Sequence, residues 1–252
     1  MTLQVLVVAE DMLGVTLARD LCDRVVVERG PSWLADLWHD ARTRDSQRAW
    51  SGFDVADAWT EWAQTKKFAD RRGLRTHGLG MEGYELAAYR AAHLAAMLTP
   101  RPDALVLCHD TDNKPVRAQM IRGIERAHVE YVPMLLAVAH REAEAWVLAG
   151  FTPRHAQERE ALSSLASEVG FDPTAEPHRV TSTVRDDPRD AKRCCERLLA
   201  EDLYAARATS CWRETPLDEL VRRGASTGLP EYLAAVERVL LPVLTGAPAS
   251  RA

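Results

Sequence analysis

Long apolar runs are missing from this chain. No stretch approaches the roughly 20 consecutive apolar residues that a membrane-spanning helix needs, so no membrane association is expected. The opening residues, MTLQVLVVAED, lack the basic n-region of a secretory signal and run straight into an acidic pair. The five cysteines, Cys22, Cys108, Cys194, Cys195 and Cys211, form no CxxC pair and no zinc-type spacing. Their odd number, and the place of Cys108 inside an apolar run, argue for a reduced, cytoplasmic protein rather than a disulfide framework. Positive charge is also short: the formal net charge is −5. That weighs against a broadly basic nucleic-acid surface, though not against a local basic groove. No internal repeat is visible. What remains is ordinary for a globular chain, with 46% apolar and 27% charged residues. At 252 residues it can bury a full core without staples, as one large α/β domain or as one domain with an appended helical part.

The stretch that organises the chain is Ala104–Asn113, ALVLCHDTDN. Its apolar half has the length and composition of a strand buried on both faces. Asp110 and Asp112 then stand at the carboxyl end, where a parallel sheet opens into its ligand crevice. An Asp-x-Asp there concentrates negative charge, and a hard divalent cation is the usual relief. The competing explanation is a polar turn whose aspartates cap a helix starting near Pro115, and Asp-x-Asp alone does not separate the two.

A first strand is predicted over Leu3–Ala9, ending at Glu10-Asp11, then an amphipathic helix from Met12 to Cys22 and a second strand over Arg24–Glu28 (RVVVE). Strand, acid, helix, strand is the opening of a βαβ unit and implies a parallel sheet. Residues 31–80 break the rhythm and carry Trp33, Trp38, Trp50, Trp59 and Trp62 beside basic residues. This is read as an insertion of short helices. Tryptophans interleaved with cations can stack nucleic-acid bases, but more often they anchor a small core or a subunit contact. The glycines Gly78, Gly80 and Gly83 mark the return to the core, and lacking a preceding strand and a Lys-Ser/Thr they are a weak phosphate-loop signal. Helices are predicted at Glu85–Leu98 and Val116–His128, and a fourth strand at Tyr131–Ala139 with Pro133 suited to an edge. A helix from His140 to Ala149 is expected to follow at once. Further on, Thr152–Val169 reads as a polar helix and His178–Ser182 as a short extended piece. Asp187-Pro188 reads as a helix start with Asp190 in its first turn. A last helix is expected at Glu231–Leu244, with residues 246–252 a disordered tail.

Three acidic strand ends thus follow one another: Glu10, then Asp110 and Asp112, then Glu142 and Glu144. In a parallel sheet they share one edge, and converging carboxylates call for Mg²⁺ or Mn²⁺. Such an ion would activate water or stabilise a leaving oxygen in phosphoryl transfer. For Glu142 and Glu144 the alternative is stronger, since acids in a helix's first turn are favoured by the macrodipole. His140 and Glu144, four apart, would share a helix face as a ligand pair.

A glutamate after the first strand and an Asp-x-Asp after a later one resembles the Toprim domain of topoisomerases, primases, small nucleases and OLD-type nucleases. LAVAHREAEAWVLAG, the DPRDAKR segment and GLPEYLAAVERVLLPVL look like the DUF4276 group of Toprim-like proteins. The resemblance covers the core strands and most of the second half, not the tryptophan-rich insertion. Asp11 stands where the Toprim glutamate is often followed by glycine, and Pro188 and Lys192 are further apart than the group's Pro-Lys pair. The resemblance implies a Toprim-like α/β core over residues 1–150, with a mostly parallel sheet of about four strands, and a helical C-terminal part over 151–245. It makes Glu10 the general acid/base and Asp110 and Asp112 the Mg²⁺ (or Mn²⁺) ligands, with Glu142 and Glu144 completing the acidic edge. The implied function is a metal-dependent nuclease or phosphodiester-cleaving component of a bacterial defence or DNA-maintenance system. Nucleic acid approaching an acidic edge needs local cations, for which Lys114, Arg117, Arg141, Arg185, Arg189 and Lys192 are the candidates. The alternatives are a non-catalytic Toprim-like docking or sensing subunit, working with a partner ATPase or another defence subunit or as a homo-oligomer through the tryptophan-rich surface, and a small-molecule phosphohydrolase.

Overall fold

A computed structural model describes residues 2–112, 114–184, 187–200, 203 and 205–246. Arg185 and the residues 247–252 of the expected tail lie outside the described residues. The chain forms two compact units, one of Met1–His109, Lys114–Val138 and Ala234–Ala252, the other of Asp110–Asn113 and Ala139–Leu233.

The first unit is α/β. Strand β1 (Leu3–Ala9) is apolar on both faces because both are covered; only Gln4 is partly open. Helix α1 (Met12–Arg29) starts at Asp11, whose carboxylate accepts from the Gly14 amide at 2.8 Å, and stops at Gly30. The second strand expected at Arg24–Glu28 is instead the last turn and a half of this helix. The valines decided the expectation through their β propensity, but position decides the outcome. Leu17 and Ala18, Leu21 and Cys22, and Val25 and Val26 are buried pairs at helical spacing, so one continuous stripe faces the core. On the open side Arg24 pairs with Glu28 one turn on.

The tryptophan-rich region does hold short helices, α2 (Ser32–His39), α3 (Ala41–Gln47) and, after two strands, α4 (Gln64–Arg71). It also completes the sheet, which the sequence did not show. Strands β2 (Arg48–Ser51) and β3 (Thr60–Glu61) pair in parallel with the first and last parts of β1. Gly52 lets them lie nearly in line: a Cβ there would stand 2.7 Å from both the Trp59 carbonyl oxygen and Thr60 Oγ1. Trp38 is buried and donates through Nε1 to Asp23 at 2.9 Å; Trp50, Trp59 and Trp62 are half-buried, and Trp33 is exposed. Asp23 also takes a two-pronged contact from Arg48, at 2.6 and 2.5 Å, which ties α1, α2 and β2 together.

Helix α5 (Gly83–Ala96), strand β4 (Ala104–Asp110), helix α6 (Val116–Ala127) and strand β5 (Met134–Ala139) stand close to their expected positions. The sheet order is β2-β1-β4-β5, with β3 beside β1. Leu6 pairs with Leu105 and Val8 with Leu107 in parallel register, and β5 closes the edge that Pro133 had indicated. Leu6, Val8, Leu105, Leu107, Leu136 and Val138 form one apolar face under Ala88, Ala91, Ala95 and Met120 of α5 and α6.

The second unit is helical. Helix α7 (Glu144–Gly150) is buried at every residue. Trp146 stacks on Tyr232 with ring centres 5.8 Å apart and donates to the Thr227 carbonyl at 2.8 Å. Around α7 come α8 (Ala156–Val169), a 3₁₀ turn (Pro177–Arg179), α9 (Ala191–Leu199), α10 (Ala206–Glu214), α11 (Leu217–Arg223) and α12 (Leu229–Ala235). Two expected starts shift. His140–Ala143 is a turn, not helix, so His140 and Glu144 do not share a helix face. Helix α9 is capped by Asp190, not Asp187, whose carboxylate instead holds the Arg189 amide at 2.8 Å in a local turn. The piece at His178–Ser182 begins in the 3₁₀ turn and ends in one parallel bridge from Ser182 to Asp190.

The chain then returns to the first unit through a π-helical turn (Val236–Leu240) and α13 (Leu241–Thr245). There Glu237 accepts from Arg29 at 2.8 Å. All five cysteines are free and buried. Burial pushes the thiols of Cys22 and Cys195 well up, that of Cys194 to about 12 and that of Cys211 to about 11. Among the described residues no helix is long and apolar enough to cross a membrane.

Helices α5 and α6 touch at the backbone: a Cβ on Gly123 would lie 2.1 Å from the Glu85 carbonyl oxygen. Alanine at that position gains about 1 kcal/mol in helix propensity. Forcing the two helices apart costs about 1–3 kcal/mol or more, so the clash wins. Gly123→Ala is expected to lower the denaturant midpoint with an unchanged m-value; a stabilised variant would show that the helices are not in backbone contact.

Candidate functional site

The predicted acids fall in both units. In the first, the carboxyl ends of β1 and β4 bring Glu10 and His109 together, Glu10 Oε2 lying 3.2 Å from His109 Nδ1. The imidazole is buried while the carboxylate is half-exposed. Tyr84 meets the ring edge-on at 4.4 Å, and Trp62 lies 5.8 Å away while donating through Nε1 to the Cys108 carbonyl at 2.8 Å. Such a carboxylate–imidazole contact fixes the ring's orientation. The sequence did not single out His109 for chemistry. The available signal was an imidazole immediately before the Asp-x-Asp, at the same kind of strand end as Glu10.

In the second unit, two turns are sewn together. Thr111 donates its amide to the Ala139 carbonyl at 3.0 Å, the Arg141 amide donates to Thr111 Oγ1 at 2.7 Å, and the Asp112 amide reaches the Arg141 carbonyl at 3.3 Å. Asp112 (φ 44°) and Arg141 (φ 70°) both sit in the left-handed region, a conformation that costs non-glycine residues about 1 kcal/mol or more and that gathers at functional sites. Asp110 ends β4, half-buried.

Beside Glu142 and the start of α9 lies a cavity of about 290 Å³, lined by Glu142, Thr183, Asp190, Lys192, Arg193 and Glu196. Glu142 is buried, and its Oε2 has no hydrogen-bond partner among the described residues. Burial raises its pKa first, Lys192 works against that, and the carboxylates of Asp190 and Asp112 add to the rise. Asp190 caps α9 by accepting from the Arg193 amide at 2.8 Å, which fixes the turn that carries Lys192.

The structure therefore gathers Asp112, Glu142, Asp190 and Lys192, of which Asp190 was expected only as a first-turn acid. Glu144 opens α7 in a buried position, and its carbonyl accepts from the Cys195 thiol. Among the expected cations, Arg141 spends its guanidinium on the Thr181 carbonyl and Arg189 reaches the Val169 carbonyl at 3.4 Å. Lys114 and Arg117 belong to the first unit, Lys114 exposed and Arg117 with Nη1 buried.

Among the described residues no three His, Cys, Asp or Glu side chains are placed to hold a metal ion. Mg²⁺ needs fewer: it keeps several waters and is commonly bound through one or two carboxylates plus substrate phosphates. The oxygen-only donor set around Glu142, with one carboxylate oxygen left unpartnered, fits that kind of binding. No family model, no curated protein and no solved structure matches this chain.

The raised pKa of Glu142 has a definite sign. As pH climbs through the ordinary value of 4.5 the unfolded chain releases this proton first, so ionising Glu142 destabilises the fold until its higher folded value is passed. Glu142→Gln should then melt above the wild type near pH 7, with the difference closing at pH 4 and below. Thermal melts across that range check it; a variant that melts lower at neutral pH would mean the carboxylate is stabilising instead.

Proposed function

We propose that the second unit carries a phosphodiester-hydrolysing site assisted by Mg²⁺ or Mn²⁺ and centred on Glu142. The observation that carries this reading is the buried, unpartnered Glu142 carboxyl oxygen in a cavity with Asp190 and Lys192, within reach of the Asp112 charge. Asp112 and Glu142, with Asp110 as the expected further ligand, would hold the ion, which when bound would polarise a phosphoryl oxygen or lower the pKa of a water. To serve as a ligand Glu142 must first give up the proton that burial favours, so loading is coupled to proton release and strengthens with pH. Lys192, set on the first turn of α9 by the Asp190 cap, offers a cation for a substrate phosphate oxygen. The Glu10–His109 contact belongs to the first unit and is no part of this site.

The test begins with metal titration followed by melting. Wild type should gain stability on adding Mg²⁺ or Mn²⁺, by about 2.7 kcal/mol at a hundred times Kd. Asp112→Asn and Glu142→Gln should lose that gain. Both should also lose the cleavage of single- or double-stranded DNA or RNA that wild type shows with the metal, and Glu10→Gln, in the first unit, should keep the metal-induced gain. A wild type that neither gains stability from metal nor cleaves any of these substrates ends the hydrolase reading.

A second reading, a docking subunit, has its own observation. Trp33 and Leu37 are 52% and 40% exposed and lie one turn apart on α2. If that face is an interface, Trp33→Ser should change the oligomeric state or partner capture while leaving the melting temperature in place.

A further inference from the structure

We infer that the first unit holds a separate binding site for a phosphate-bearing anion, in the cavity formed by α4, the glycine-rich loop that follows it and α5. The cavity measures about 780 Å³, within the range of sites that take nucleotide-sized ligands and far larger than one phosphate requires. Its charged lining is Lys66, Arg75 and Arg90 against the single carboxylate of Asp70. In a chain of net charge −5 this is a local reversal of sign, the footprint of an anion site.

Three features make it more than a patch of surface cations. Arg90 is half-buried; it donates through Nη2 to Thr76 Oγ1 at 3.1 Å, while its Nε is buried with no hydrogen-bond partner among the described residues. A buried donor left unsatisfied is costly, and a phosphate oxygen would satisfy it with a charge-assisted bond. Next, two glycines of the loop leave open space in the lining. Gly78 and Gly80 have φ of 80° and 64°, and a Cβ at either would meet nothing within 4 Å. Finally, the loop between them is held in place: the Leu79 carbonyl accepts from Arg126 at 2.7 Å, and Arg126 is itself paired with Glu85 at 2.9 Å.

No Trp, Tyr or Phe lines the cavity, and His77 is the one aromatic ring in its lining. The chemistry recognised is the phosphate groups themselves. They could belong to a free nucleotide or pyrophosphate, or to the backbone of a single-stranded nucleic acid. The site uses none of the residues of the proposed hydrolytic centre and stands or falls without it.

The experiment uses the full chain in EDTA, with pyrophosphate, ATP, and fluorescein-labelled dT12 and rU12 as probes, followed by calorimetry and anisotropy. At least one probe should bind, more weakly as salt rises. The double variant Lys66→Gln/Arg75→Gln should weaken binding at least about 10-fold and reduce the slope of log K against log salt by about 1–2. Both residues are exposed, so its melting temperature should match wild type. Asp70→Asn, which removes the opposing charge, should tighten binding, and Asp112→Asn should leave it unchanged. Displacement of the oligonucleotides by pyrophosphate identifies the free phosphate as sufficient; binding of the oligonucleotides alone identifies the backbone. Failure of all four probes at low salt, or equal affinity in wild type and the double variant, overturns the site while leaving the metal-dependent hydrolase untouched.

Discussion

The central strands of the sheet are covered on both faces, and much else follows from that. A strand with two buried faces has no place along its length for a charged side chain, so β1 and β4 stay apolar until they end. Polar chemistry is thereby displaced to the termini, and parallel pairing sends the carboxyl ends of β1 and β4 the same way. Glu10 and His109 meet for this reason. The same constraint separates the roles of neighbouring acids. Asp11 is consumed in capping α1, because a helix must begin where the strand stops, and this leaves Glu10 for other work.

Much of this was legible in the sequence because it is local. The apolar run at 104–108 with Asp110 behind it, the alanine-rich stripe of α5 and the position of Pro133 each carry their structural meaning within a few residues. Where the sequence misled, non-local burial outweighed local preference. RVVVE is a good strand by composition, yet its valines extend a stripe begun a dozen residues earlier in α1. The partner strands of β1 lay hidden in the tryptophan-rich stretch because β2 and β3 are four and two residues long, too short for any alternation to show. Asp187-Pro188 carried the composition of a helix start, and a local Asx turn took the aspartate instead.

The same division runs through the candidate sites. Asp112 and Glu142 were visible as acids after strands. Asp190 and Lys192 join them only because Ser182 bridges to Asp190 and brings the start of α9 to the turn after β5, contacts that no spacing rule anticipates. Arg141, expected as a substrate contact, also holds the Thr181 carbonyl. In the first unit the glycines at 78 and 80 looked like weak punctuation. They line one cavity with Arg90, about two turns into α5, whose Nε is buried.

The five buried thiols have a consequence of a different kind. Alkylating reagents attack thiolates, and desolvation raises the pKa of Cys22, Cys194, Cys195 and Cys211 beyond the range in which thiolate forms at neutral pH. These buried thiols should therefore react slowly with iodoacetamide in the native chain, so that labelling follows opening. Cys22 and Cys108 belong to the first unit and the other three to the second. A peptide map of labelled cysteines at rising denaturant would therefore report, from the natural sequence alone, whether the two units open together or one ahead of the other.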